Sequence, residues 1–240
     1  MECILSTMEN MSSGAMVQRQ IQSGTYMAVQ PIVKNASVVE FKVDSVDDFI
    51  DLNKTELEVK FRIKKADGTN LEATDKVTVI NYPSATLFNN VEVVLNGKTI
   101  THGTSNYAER AMMETILSYG NDAVMSWLQG GLFYKDTAGQ MNNTDPEDNT
   151  GNDGLKQRAE FTKESKLVVT RGKLHLDIFN QAKPLINNCR MNIKFTKNKD
   201  AYCLMCAEDK AYKIEIEDMI LWIRKLEQVQ KRAFLYFMPG

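Results

Sequence analysis

The sharpest periodicity in the chain is TELEVKFRIK at Thr55–Lys64. Leu57, Val59, Phe61 and Ile63 alternate with Glu56, Glu58, Lys60, Arg62 and Lys64. A period of two sets the apolar group on a core face and the charged group toward water or a neighbouring subunit. Shorter patterns of the same kind predict strands at Ser37–Val43, Lys166–Thr170, Lys173–Ile178, Arg190–Thr196 and Ala201–Cys206, and an extended piece at Lys76–Ile80. In Lys173–Ile178 the inward set is Leu174, Leu176 and Ile178. The last pattern, Tyr212–Lys225, alternates at Tyr212, Ile214 and Ile216 and changes phase near Asp218-Met219, as a β-bulge requires. Residues 91–101 read as a hairpin, with Asn96-Gly97 as its two-residue turn. Ala66-Asp67-Gly68 is a further turn.

Helical spacing interrupts the strands in one region. Pro83-Ser84 opens a single turn reaching Leu87-Phe88. Asn106 is placed as an N-cap with Glu109 at the capping-box position, and Ala108, Ala111, Met112, Ile116 and Tyr119 share one face. Gly120 stands where a C′ glycine belongs. Asp122 starts a second short helix through Leu128, stopped by Gly130-Gly131. Residues 136–154 form a long polar loop, and 155–164 a third helical pattern. About eight strands with long excursions predict an all-β, two-sheet antiparallel sandwich. The eight-stranded jelly roll with short helices in long inter-strand loops is the leading form, and an immunoglobulin-like sandwich fits the bare pattern almost as well.

Composition narrows the function classes. The chain has 240 residues, 43% hydrophobic and 25% charged, which suits a folded soluble protein. Its 29 basic and 31 acidic residues leave no basic excess for wrapping nucleic acid, so no direct nucleic-acid partner is expected. No apolar run approaches the roughly 18 residues that span a bilayer. The start, MECILSTMENMSSGAM, lacks the apolar core of a secretory signal, so the protein is not expected to be secreted. Cys3, Cys189, Cys203 and Cys206 do not make a disulfide framework, and synthesis in a reducing compartment is expected. The sequons at Asn10, Asn35, Asn53 and Asn142 then carry no weight. Residues 1–28 read as a flexible N-terminal arm, 29–226 as one sandwich domain with an insertion at about 101–165, and 227–240 as a C-terminal tail.

Candidate chemistry is sparse. His102 and His175 are the two histidines. His175 and Asp177, two apart on a strand, read as an outward polar pair, since no GxSxG-type nucleophile accompanies them. Cys203 and Cys206 have zinc-knuckle spacing without a second ligand pair. Asp145, Glu147, Asp148 and Asp153 do not match an EF-hand, and the Gly151–Gly154 stretch is not at a strand-to-helix junction. The 13 methionines are scattered. No catalytic, cofactor-binding or metal-binding group is expected, and the chain does not read as an enzyme. Trp127, Phe133 and Tyr134, between the helical pattern and the polar loop, have the composition of subunit contacts, or of a cover over one end of a sandwich.

Several segments, in order, resemble the double jelly-roll major capsid (hexon-like) proteins of Polinton (Maverick) elements and adintoviruses. They are LFNNVEVVLNGKTI at 87–100, NYAERAMMETILSYGNDA at 106–123, LFYKDTAGQM at 132–141, GLKQRAEFTKESK at 154–166, GKLHLDIFNQAKPLINN at 172–188 and YKIEIEDMILWIRK at 212–225. The combination of NGK, ETILSYG and YKDTAG is the specific part. The resemblance spans about residues 30–225 and implies the N-terminal jelly roll alone. The tail then stands for a truncated link to a second jelly roll. It implies a virion capsid protein that assembles with itself, in host nucleus or cytoplasm, with an intact hexon, penton or minor capsid proteins as further partners and no cofactor. It also places the excursion at 101–154 between strands D and E. Leu87, Phe88, Asn96, Gly97, Tyr107, Glu114, Tyr119, Gly120, Trp127, Tyr134, Lys135, Asp136 and Gly139 are the motif and assembly-surface candidates. A domesticated β-sandwich module that binds a protein or glycan is the alternative.

Overall fold

The computed structural model describes residues 21–45, 48–101, 105–148, 150–206 and 210–228. Most of the predicted arm with Cys3 and Asn10, together with His102 and the tail after 228, lies outside the described residues.

The alternating segments form strands. They are β1 (Ile21–Val29), β2 (Pro31–Lys34), β3 (Val38–Ser45), β4 (Phe49–Lys65), β5 (Val77–Val79), β6 (Phe88–Leu95), β7 (Lys98–Thr99), β8 (Val168–Lys173), β9 (Cys189–Lys197), β10 (Leu204–Cys206) and β11 (Tyr212–Gln228). Five α-helical pieces lie between them: α1 (Pro83–Thr86), α2 (Tyr107–Ser118), α3 (Asn121–Val124), α4 (Asp153–Thr162) and α5 (Asp200–Cys203). All strand pairs are antiparallel. One sheet has the order β1-β11-β4-β8, and the other β2-β3-β9-β6-β7. Take β1, β3, β4, β6, β7, β8, β9 and β11 as B to I in chain order. The sheets then read B-I-D-G and C-H-E-F, with β2 beside C. This is the two-Greek-key strand order of a jelly roll, and it decides against the immunoglobulin-like alternative. The short pair β5-β10 lies outside both sheets.

The period of two in β4 does what the pattern requires. Leu57, Val59, Phe61 and Ile63 are buried, and their alternates face outward. On the outer face, cross-strand charges pair: Lys60 with Asp218, Arg62 with Glu217, and Lys64 with Glu215 at 2.8 Å. The phase change in β11 is a bulge at Glu217, where the register against β4 shifts between Ile216 and Asp218. It returns Met219 to the core after Ile214. In the opposite sheet, Phe195 is fully buried, edge-on to Phe41 (5.7 Å) and tilted against Phe88 (5.1 Å). The hairpin turn has φ of 48° at Asn96 and 79° at Gly97, the double positive φ of a tight I′-like connection.

Four expectations are corrected. Residues 21–28 are strand, paired with Leu221–Gln228 of β11, and not arm. Gly24 and the surrounding polar residues hide the pattern; the Arg224 guanidinium lies over Gly24. Of residues 173–178 only Lys173, the last residue of β8, is strand. Leu174, His175 and Leu176 leave the end of β8 without strand pairing and are buried in succession, and a 3-10 turn follows at Asp177–Asn180. Residues 201–203 belong to the helical turn α5, so the predicted strand shrinks to β10. Finally, with β1 counted as strand B, the helical excursion lies between F and G and not between D and E.

Truncating Phe195→Ala is expected to cost about 3–5 kcal/mol, the usual range for a buried aromatic. Leu117→Ala, at a site 80% exposed, should stay within about 0.5 kcal/mol. Urea denaturation midpoints of the two variants check the contrast.

Candidate assembly surface

The F–G excursion is held to the sandwich by two sets of buried polar contacts. The first docks α2. Tyr107, Ala108, Ala111 and Thr115 form its buried face. The backbone N–H of His175 donates to Tyr107 Oη (3.2 Å), and His175 Nε2 shares a hydrogen bond with Tyr82 Oη (2.9 Å). His175 Nδ1 lies 3.5 Å from Glu114 Oε1, which also accepts from Asn180 Nδ2 (3.1 Å). The His175 imidazole, aided by Asn180 and Arg110, holds the Glu114 carboxyl below its ordinary range, against the effect of burial. Burial pushes the Tyr82 and Tyr107 phenols upward. The expected outward His175–Asp177 pair does not exist. His175 is fully buried, while Asp177 is exposed and pairs with Arg110 of α2. The absence of a strand at 174–178 removes the geometry on which that pairing rested.

The second set holds α4. Arg158 is fully buried and donates to the Val79 carbonyl (3.2 Å), the Tyr134 carbonyl (3.3 Å) and Asp136 Oδ1 (3.0 Å). Asn81 brackets Tyr134, donating to its carbonyl (2.7 Å) and accepting from its N–H (3.0 Å). Asn152 caps α4 by accepting from Gly154 N and Leu155 N. A Cβ on Gly154 would stand 2.8 Å from the Lys135 carbonyl. Sequence reasoning missed Arg158. The available signal was a cation inside the buried stripe Leu155, Ala159, Thr162.

These anchors sort the motif residues. Tyr107, Glu114, Tyr134 and Asp136 are internal fasteners, as are buried Leu87 and Phe88. Asn96 Oδ1 accepts from Arg190 N (2.8 Å), so the hairpin tip grips β9. Lys135 and Gly139 have exposed side positions, with Gly139 at a φ of 78° in a turn. Gly120 is extended, not left-handed, and sits at the N-terminus of α3. Asn106 makes no side-chain cap, and Glu109 instead accepts from Tyr202 Oη (2.8 Å). Ile116, expected on the inner face, points outward, and Thr115 takes the inner place.

Several large apolar side chains remain outward. Met113, Ile116 and Leu117 occupy one face of α2 at i, i+3, i+4, and Met125 and Trp127 follow. Trp127 is 47% exposed and edge-on to Tyr119 (4.9 Å). The other two aromatics expected beside it go elsewhere: Phe133 is buried against Tyr82 (5.7 Å), and Tyr134 stacks with Phe161.

The polar loop is tied down by its own side chains. Asp145 and Glu147 share Lys76 (2.8 and 3.4 Å), and Asp148 accepts from Asn143 Nδ2 and Thr150 N. Among the described residues no group of three or more His, Cys, Asp or Glu side chains is arranged for a metal. Cys203 sits at the end of α5 beside the Thr86 carbonyl (3.6 Å), where burial pushes its thiol up to about 12; Cys206 lies in β10.

No protein-family model matches the chain. An uncharacterized protein of Caenorhabditis elegans is 22% identical over 189 residues, covering 75% of this chain and 42% of that protein. A chain of the Sputnik virophage, from a cryo-EM structure, superposes with a TM-score of 0.62 at 13% identity, covering 90% of this chain and 50% of that one. The mavirus major capsid protein matches with a TM-score of 0.47 at 14% identity, over 90% of this chain and 48% of its own. The Sputnik likeness shows the fold. The chain spans about half the length of the proteins it matches, between 42% and 50%.

Asp136→Ala strands a buried guanidinium and is expected to cost about 3–5 kcal/mol. Asp145→Ala, at an exposed pair, should cost about 1 kcal/mol or less. Thermal or urea unfolding of both variants compares them. Glu114 has a depressed folded pKa, so its contribution is complete above the unfolded value of about 4.3 and is lost as pH falls through the folded value. The stability difference between wild type and Glu114→Gln should therefore shrink on acidification below about pH 4. Urea titrations at pH 6 and pH 3.5 measure it.

Proposed function

We propose that this chain is a structural subunit of a virion capsid, viral or virus-derived. It supplies the N-terminal jelly roll of a double jelly-roll, hexon-like protein. The observation that carries this reading is the B-I-D-G and C-H-E-F strand order, superposable over 90% of the chain on half of a Sputnik virophage chain. The motifs NGK, ETILSYG and YKDTAG support the narrower affiliation with Polinton and adintovirus hexons. On this reading the partners are further copies, an intact hexon, and penton or minor capsid proteins. The chain resides in the virion capsid after assembly in host nucleus or cytoplasm.

The mechanism is self-association. The apolar face of α2 with Met125 and Trp127 is a contact surface on a frame fastened by Arg158 and His175. Exposed large apolar side chains grouped on one surface mark interaction sites in folded proteins. The polar anchors beneath them hold that surface in one shape, which reduces the ordering cost of association.

Analytical ultracentrifugation of the full chain is expected to show concentration-dependent oligomers. Leu117→Asp should weaken them roughly tenfold or more by placing a charge in an apolar contact, with an unchanged melting temperature. A chain that stays monomeric at every concentration, and never enters particles when co-expressed with an intact hexon, would falsify the capsid reading. Capture of an unrelated protein or a glycan without assembly would favour the binding-module alternative.

A further inference from the structure

The apolar face of α2 is open, and its flanking charges indicate what would cover it. Met113, Ile116 and Leu117 stand exposed on successive turns of the helix. Trp127 joins them through its edge-on contact with Tyr119 (4.9 Å), just past the helix end, and Met125 is exposed two residues before it. All five remain exposed among the described residues, so no described element of the same chain covers them. Ile32 with Val33, and Leu167 with Val169, are smaller exposed groups. Residues 106–131 carry Glu109, Arg110, Glu114 and Asp122, three carboxylates to one guanidinium. Arg110 is already paired with Asp177, and Glu114 turns inward to His175 and Asn180. Glu109 and Asp122 are left as the outward charges. A second copy of the same helix would bring carboxylates against carboxylates; a basic, apolar segment would not.

The sequence after β11 has that composition. Residues 229–240 read VQKRAFLYFMPG. Lys231 and Arg232 are the charged side chains of this segment, and Phe234, Leu235, Tyr236, Phe237 and Met238 follow without a polar break. A run of five large apolar residues is an aggregation liability unless it has a surface to meet. The segment leaves from Gln228, which still pairs with Ile21 of β1. An extended chain carries Phe234 up to about 20 Å, and Met238 up to about 35 Å, from that point. A neighbouring copy is within that reach without unpairing β11.

Resting on the assembly reading, we infer that residues 234–238 of one copy dock on the face made by α2, Met125 and Trp127 of a second copy, with Lys231 and Arg232 toward the acidic rim of that face. The apolar side chains supply the affinity, as at the core of most interfaces, and the charges set the partner. The contact joins two different elements. A copy without a working tail still offers a face, and a copy without a working face still offers a tail.

The test uses the full chain. Leu117→Asp disables the face, and Phe234→Asp with Phe237→Asp disables the tail. In analytical ultracentrifugation each variant alone should associate roughly tenfold or more weakly than wild type. An equimolar mixture of the two should form a one-to-one unlike pair, which also shows that both are folded. A tail variant that associates as tightly as wild type, while Leu117→Asp is impaired, overturns this inference and leaves the capsid reading and its α2 contact standing. A tail variant that associates more tightly than wild type assigns the tail to the helix of its own copy and overturns it as well. Two weakened variants whose mixture stays monomeric rule out the exchange between copies. A wild-type chain that never associates removes both the inference and the capsid reading.

Discussion

A guanidinium without solvent contact is costly unless each of its donors finds an acceptor, and the F–G excursion depends on how Arg158 meets that condition. Its three acceptors come from three places: β5, the chain at Tyr134, and the carboxylate of Asp136. No helical stretch of the excursion is long enough to be stable on its own apolar stripe. The arginine supplies directional contacts that hydrophobic burial does not, and it thereby sets where α4 and the loop before it stand. The His175 cluster does the same for α2 at the other side of the excursion. Between them the outer surface of roughly sixty residues is given a fixed shape.

The sandwich beneath is organised by β11. It pairs with β1 on one side and β4 on the other, over most of its length. A strand this long twists out of register with a flat partner face. The bulge at Glu217 absorbs one residue, so that Ile214 and Met219 both reach the core. The same bulge brings Glu217 toward Arg62 on the outer face and its carbonyl toward Lys34. One irregularity therefore serves both the core and the charged face.

Strands with a strict period of two were legible from the residues alone: β3, β4, β9 and β11 with its phase change, and the Asn96-Gly97 turn. They led to an antiparallel two-sheet sandwich, and the strand order, which no local pattern carries, decided for the jelly roll. β1 was not legible, because Gly24 and its polar neighbours carry no alternation and its order comes from pairing with residues about two hundred positions away. Leu174 and Leu176 mimicked a strand, and nothing local revealed that His175 between them is buried as well. Its partners Tyr82, Tyr107 and Glu114 are far from it in the chain. Several of the motif residues turn out to be internal. Tyr107, Glu114, Tyr134 and Asp136 fasten the excursion from inside, and the exposed positions Met113 and Leu117 lay outside the motif set.

The C-H-E-F sheet ends on both sides in very short strands: β7 has two residues, and β2 has four, beginning with Pro31. Such edges offer a foreign strand almost no backbone to extend. A protein meant to meet many copies of itself faces a hazard in every open sheet, since uncontrolled strand addition yields fibres. Here that sheet is blunted at both edges. On the proposed assembly reading, contact between copies would fall to side chains on helices and loops, and copies joined that way would separate again with their hydrogen-bonded sheets intact, so that errors in packing could be undone.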